Sequence, residues 1–218
     1  DQPALACVLR SIARRALEID ESATARQALE ELADVLAELG DFAGVAGVLA
    51  ESADLCVEQA ETSAAAERLR RRGLLLRERL DDPKAAERAF RRAFQLDPGD
   101  LESALQAAEL CGLRRDRSGE AELLEALLPL LPEDDGRAAA LLRLARLQLA
   151  LGDSSRAGTT LEEALRLQPD FAEARDLFDE LLGLECRFAE LAASYEARAA
   201  TLSERQPRIA LLRRAADL

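Results

Sequence analysis

Histidine, methionine, tryptophan and asparagine are absent from this 218-residue chain, and tyrosine and lysine occur once each, as Tyr195 and Lys84. Each absence removes a possibility. Without histidine there is no Ser–His or Cys–His nucleophile pair, the usual transition-metal ligand is missing, and no side chain titrates unperturbed near neutral pH. Aromatic residues make up only 3 % of the chain, too few for the stacking platforms of single-stranded nucleic-acid binders. β-Branched residues are also scarce, which excludes a sheet protein. No apolar run approaches the ~20 residues that span a bilayer. Phosphate-cradling glycine loops of the G-x-x-x-x-G-K-[ST] or G-x-G-x-x-G type do not occur. Lys84 stands beside Pro83 at a predicted helix start, where its amine stays solvated and unactivated.

What is present builds helices. The chain holds 44 Ala and 43 Leu, with 28 Arg and abundant Glu, all good helix formers. Cys7, Cys56, Cys111 and Cys186 lie far apart without a Cys-x-x-Cys pair and read as reduced, core-like residues rather than disulfides. The preference for residues with GC-rich codons (Ala, Arg, Gly, Leu over Lys, Asn, Ile, Met) points to a high-GC bacterium. The start Asp1-Gln2-Pro3 has neither an initiator methionine nor a signal-peptide pattern, so the chain is expected to be a piece of something longer, in the cytoplasm.

Apolar residues recur at helical spacing, as at Leu141, Leu144, Ala145 and Gln148 to Leu151. The interruptions are regular. Asp97-Pro98-Gly99-Asp100, Leu131-Pro132-Glu133-Asp134 and Gln168-Pro169-Asp170 each end an amphipathic stretch, with prolines 34 and 37 residues apart. Between them fall Gly40-Asp41, Asp81-Asp82-Pro83, Arg117-Ser118-Gly119, Gly152-Asp153 and Cys186-Arg187; the first and last are weak or partial turn signals, whereas Asp-Pro and Gly-Asp are strong ones that stop one helix and cap the next. The breaks predict about twelve helices, two per period in the thirties, the pattern of a helical repeat array. Complete pairs are expected at 22–60, 63–96, 100–130, 136–167 and 170–203, with half-repeats at 4–19 and 207–218, in one array over 1–218. The fold class is all-α, an α-solenoid of antiparallel helix pairs whose stripes are buried by stacking on neighbours.

The stretch Leu141-Leu142-Arg143-Leu144-Ala145, with Leu151-Gly152-Asp153, Ala157, Leu161 and Ala164 to Asp170, resembles a tetratricopeptide repeat. Residues Ala85 to Pro98 resemble its second helix: Ala86 and Ala157 match the family's small residue, Phe90 and Leu161 its large one, Ala93 and Ala164 the next alanine, and Pro98, Pro132 and Pro169 the closing proline. The array departs from the family in lacking the first-helix aromatic, in placing Leu74 and Asp179 where a small residue is expected, and in an over-long unit before Asp81. The resemblance implies a right-handed superhelix with a concave, peptide-binding groove built from first helices. On that basis the groove includes Glu30, Asp34, Arg68, Arg71, Leu75, Leu105, Glu109, Leu142, Arg146, Leu149, Asp176 and Glu180. The Lys and Asn that the family's chaperone-binding members use for a terminal carboxylate are not available here.

Charge is unevenly placed within the net of −13. Residues 18–61 carry 12 acidic side chains against Arg26, while 67–92 carry ten basic and five acidic. Successive first helices alternate in sign from acidic 22–39 through basic 207–218, which predicts pairing between neighbouring repeats; a dedicated ligand patch around Arg68, Arg70, Arg71, Arg72, Arg77 and Arg79 is the alternative. The overall negative charge disfavours nucleic acid. The expected function is a non-enzymatic scaffold binding a peptide or partner domain, without cofactor, metal or membrane insertion. A spacer segment of a large protein is the alternative, and a carboxylate-based enzyme a remote one. Neither terminal helix has a polar outer face, so end-to-end self-association is also expected.

Overall fold

The computed structural model describes residues 2–19, 21–201 and 204–217. Asp20, in the turn ending the first expected half-repeat, and Leu202 and Ser203, at the end of the expected 170–203 pair, lie outside the described residues. Among the described residues there are twelve α-helices and no strand. They are α1 (Gln2–Glu18), α2 (Ser22–Glu38), α3 (Phe42–Glu58), α4 (Thr62–Glu78), α5 (Pro83–Leu96), α6 (Leu101–Leu113), α7 (Arg117–Leu127), α8 (Asp135–Ala150), α9 (Ser154–Leu167), α10 (Ala172–Leu184), α11 (Phe188–Thr201) and α12 (Arg205–Ala216). The expected pairs fall on α2–α3, α4–α5, α6–α7, α8–α9 and α10–α11, with α1 and α12 as the half-repeats. Where the sequence suggests one array, the helices sort into two compact units, residues 1–130 and 131–218.

Aspartate sets the helix starts. Asp41, Asp82, Asp100, Asp116, Asp134 and Asp153 each accept a hydrogen bond from a backbone N–H of the turn they precede, at 2.8–3.2 Å. Those N–H groups have no partner inside the helix, so each cap satisfies one that would otherwise be lost to packing. The preceding turns pass through the left-handed region at Gly40 and Gly152, and also at Ala60, Asp81, Arg115 and Cys186, where no glycine marks the bend. That is why the turns before Asp116 and Arg187 are faint in the sequence.

In unit 1, Leu9, Ala13 and Ala16 of α1 pack with Leu29, Leu32 and Leu36 of α2 and Val45, Val48 and Leu49 of α3 into a continuous core. Further along, Phe90 of α5 is fully buried across Gly73 of α4. A Cβ built at Gly73 would stand 2.7 Å from Phe90 Cε1, so only glycine allows this approach. The small residue expected at Leu74 is thus supplied one position earlier: Gly73 faces α5, and Leu74 is half-buried beside it. In unit 2, Ala157, Leu161 and Ala164 of α9 are completely buried, as are Ala86, Phe90 and Ala93 at the matching positions of unit 1. Thr160 Oγ1 donates to Gln148 Oε1 at 2.9 Å, tying α9 to α8 inside the core.

Gly73→Ala should therefore destabilise unit 1 by about 1–3 kcal/mol through overpacking against Phe90. Urea denaturation followed by circular dichroism measures it. Gly73→Ala combined with Phe90→Leu should recover part of the loss.

Candidate functional site

The first helices of unit 1 meet through ion pairs. Arg68 of α4 reaches Glu30 of α2 with Nη2, donates from Nε to Ser52 Oγ of α3 at 2.7 Å, and from Nη1 to the Ala64 carbonyl at 3.1 Å. Arg70 of α4 contacts Glu102 of α6 at 2.6 Å and Asp100 at 3.9 Å, besides Glu67 on its own helix. Its hydrogen bond to Glu67 is the largest of the effects that raise its pKa, so the guanidinium stays charged throughout. Arg77 contacts Gln106, and lies 4.0 Å from Glu109, both of α6. In unit 2 the same step joins Arg146 of α8 to Glu173 of α10 at 2.7 Å. Basic first helices therefore do face acidic ones within each unit.

A second ladder, which the sequence reading does not anticipate, runs between second helices. Arg92 of α5 meets Asp54 of α3 at 2.8 Å, and Arg91 of α5 meets Glu122 of α7 at 3.3 Å. Glu87 of α5 is buried and answers both Arg91 and Arg114. These arginines sit on helices whose charge looks mixed in one dimension, and only the stacking aligns them with a single carboxylate next door.

Four of the twelve anticipated groove residues come together. Glu30 and Asp34 of α2 and Arg68 and Arg71 of α4 line a cavity of about 240 Å³. Its other walls are apolar: Leu29, Ala33, Val48 and Leu49, with Ser52 beneath Arg68. Arg68 and Glu30 are committed to each other. Asp34 and Arg71 are exposed, and neither has an ion-pair partner among the described residues. The site is a recess whose open surface is mostly polar, over buried apolar side chains, with one unpaired anion and one unpaired cation among its lining residues.

The remaining anticipated residues are dispersed. Leu75 is half-buried and packs against the core shared by α1, α2 and α3. Leu105 on α6 is 48 % exposed, and Glu109 on the same helix is held near Arg77. In unit 2, Arg146, Asp176 and Glu180 are exposed and Leu149 is half-buried. Leu142, expected on the groove surface, is only 3 % exposed and belongs to the packing, because its face of α8 points to the interior.

Asp179 of α10, which stands in place of the family's small residue, is buried and accepts from Ser194 Oγ and Arg198 Nη1 of α11, both at 2.9 Å. Burial is the dominant effect on this carboxyl and raises its pKa, opposed by the bonds from Ser194 and Arg198. A second cavity in this unit, about 310 Å³, is lined by Pro169, Asp170, Ala172, Arg175, Ala197, Arg198 and Leu211. Arg175 spans its edge by donating to the Pro169 carbonyl at 2.7 Å.

Nucleophile chemistry has little to work with. Cys56 and Cys111 are buried, Cys7 and Cys186 exposed, and all four thiols are free. Burial pushes the Cys111 thiol up, although Arg91 Nη2 lies 3.5 Å from its sulfur. Among the described residues no group of three or more Cys, Asp and Glu is placed to hold a metal ion, and no helix is long and apolar enough to cross a membrane.

Residues 139–170, which run from α8 through α9 to the turn before α10, match the tetratricopeptide repeat family model. Among solved structures, MamA from Desulfovibrio magneticus RS-1 is 17 % identical, with 98 % of each chain covered and a TM-score of 0.46. PilF of Pseudomonas aeruginosa is 16 % identical over 90 % of this chain and 85 % of its own, with a TM-score of 0.44. YrrB, described as a tetratricopeptide protein with an unusual peptide-binding site, is 17 % identical over 74 % of this chain and 86 % of its own, with a TM-score of 0.37. No curated protein matches the sequence. The family match thus covers one helix pair, α8–α9, of a chain built from helix pairs throughout its described residues.

Two outcomes follow from these contacts. Arg68→Ala leaves the buried Ser52 hydroxyl without its partner and should cost about 1–2 kcal/mol, whereas Arg71→Ala should change stability by less than about 0.5 kcal/mol. Urea midpoints of the two variants separate structural from free arginines. For Asp179 the sign is set by its raised folded-state pKa: the folded state takes up a proton at higher pH than the unfolded chain. The stability of wild type relative to Asp179→Asn should therefore increase as pH falls from 7 into the carboxylate range, as measured by paired urea titrations at pH 7 and pH 4.5.

Proposed function

We propose that this chain is a non-enzymatic protein-interaction scaffold whose first-helix surface in unit 1 receives a peptide segment or partner domain. The recess between α2, α3 and α4 is the observation that carries the reading. The first-helix arginines Arg68, Arg70 and Arg77 of unit 1 are engaged by neighbours, and their charges hold register. Asp34 and Arg71 are not so engaged, and they flank a volume of about 240 Å³, enough for one large side chain. Opposite charges lining the recess favour a peptide that presents a carboxylate to Arg71 and a cation to Asp34. Exposed Leu105 on α6 offers an apolar contact to the same segment. The other anticipated groove residues of unit 2, Arg146, Asp176 and Glu180 with Leu149, form part of the same proposal as a separate surface.

A purely structural spacer is the competing reading, favoured by the number of arginines already paired within the array. The two readings differ at Arg71. Peptides selected on the chain from a displayed random library should lose at least about tenfold in affinity with Arg71→Glu and with Asp34→Lys, at unchanged thermal midpoint. Titration calorimetry with the selected peptides measures the loss. A library that yields no binder, or binders indifferent to both substitutions, overturns the scaffold reading at this surface.

A further inference from the structure

The run Arg70-Arg71-Arg72 of α4 divides three ways. Arg70 is engaged by Glu67 and Glu102. Arg71 stands exposed at the recess between α2, α3 and α4. Arg72 is half-buried, its Nε is shut off from solvent without a hydrogen-bond partner, and no carboxylate among the described residues pairs with its guanidinium. Arg137 Nε is likewise unsatisfied, but the rest of that head group reaches Glu163 at 2.9 Å. A buried donor without an acceptor costs the fold stability, which Arg72 can regain only from an acceptor supplied from outside.

Helix geometry puts Arg72 beside the recess. The pairs Arg26–Glu61 and Arg68–Glu30 advance in the same direction along both helices, so α2 and α4 lie parallel. Successive helical residues point ~100° apart, so the direction midway between Arg71 and Arg72 is that of Arg68, one turn earlier. Arg68 lines the recess. Arg71 therefore flanks that direction on the solvent side, and Arg72 flanks it on the side of buried Leu69 and Leu76. One turn beyond the Arg68–Glu30 pair, the same level of α2 carries Asp34, exposed and without an ion pair.

We propose that Arg71 and Arg72 together take the carboxylate of a glutamate or aspartate side chain on the segment that docks at the recess, while Asp34 takes a lysine or arginine beside it. The assignment rests on the scaffold reading above and names the chemistry of its partner. Arg72 lies on the inner side of the recess, so the carboxylate that meets it is carried inward on a side-chain stem. Its Nε then donates the bond that the fold leaves unmade. Guanidinium and carboxylate match as planar groups, and the partly desolvated setting strengthens their contact relative to one at the rim.

The test uses peptides selected on the 218-residue chain from a displayed random library and resynthesised with an amidated C-terminus, so that only side chains supply carboxylates. Each binder should contain one acidic residue whose conversion to glutamine or asparagine weakens binding at least about tenfold by titration calorimetry. Arg72→Gln should cause a loss of the same size, and combining the two changes should add little further. Arg72→Met should weaken binding as much without lowering the melting midpoint, because it removes an unsatisfied donor and not a contact of the fold. Binders that lose affinity with Arg71→Glu and Asp34→Lys but are indifferent to Arg72→Gln overturn this assignment and leave the scaffold reading standing. A library without binders, or binders indifferent to all three substitutions, overturns both. Binding that survives conversion of every acidic residue, or a melting midpoint lowered by Arg72→Met, also overturns the assignment.

Discussion

A helix pair of this kind has two apolar stripes and can bury only one of them internally. The other must be covered by the next pair, and every other feature of the chain serves that requirement. Alanine and glycine at the seams let helices approach, leucine and phenylalanine fill the space between, and short aspartate-capped turns keep the approach antiparallel. Gly73 beneath Phe90 is the tightest case: the ring occupies the volume that any side chain at that position would need. A purely apolar stack of near-identical helices would fit in more than one register. The ion pairs between like-numbered helices of adjacent repeats discriminate among those registers, each contributing little alone but all being satisfied together in one alignment.

The arginines do this with an economy that lysine could not match. Arg68 touches Glu30 of α2, Ser52 of α3 and the backbone of its own helix from three different nitrogens. One planar, five-donor head group thus joins three helices, and its rigidity limits the freedom lost in doing so. What remains unpaired at the recess, Asp34 and Arg71, is conspicuous because so much of the surrounding charge has been taken up.

Much of the fold was legible in the sequence because helix, turn and repeat are local or periodic properties. Amphipathic spacing gave the helices, and Gly-Asp and Asp-Pro gave the caps. The turns at Ala60, Arg115 and Cys186 were faint because their left-handed backbone is imposed by the packing of the helices on either side, not by a residue that prefers it. The shift from Leu74 to Gly73 has a similar origin: over one turn of helix, adjacent residues are equally plausible until the facing ring is placed. The sign alternation of first helices was visible along the chain, whereas the second-helix ladder of Arg92–Asp54 and Arg91–Glu122 was not, since both signs are interleaved on those helices. Glu30, Asp34, Arg68 and Arg71, named only through the family resemblance, line one recess, whereas Leu142 is turned inward because the apolar face of α8 is wider than a single stripe.

The near-exclusive use of arginine reaches beyond packing. Twenty-eight of the 29 basic side chains are guanidinium groups, there is no imidazole, and the single amine side chain, Lys84, lies outside both ladders. The cationic half of every rung is therefore indifferent to lysine acylation and keeps its proton at any cellular pH. The cationic side of the charge pattern that fixes repeat order is therefore constant across the physiological range. Dissolved salt remains the lever to which it responds, through screening of the exposed rungs over ~8–10 Å. The cationic half of such a ladder is deaf to the two signals, protons and lysine modification, by which cells most often rewrite positive surface charge.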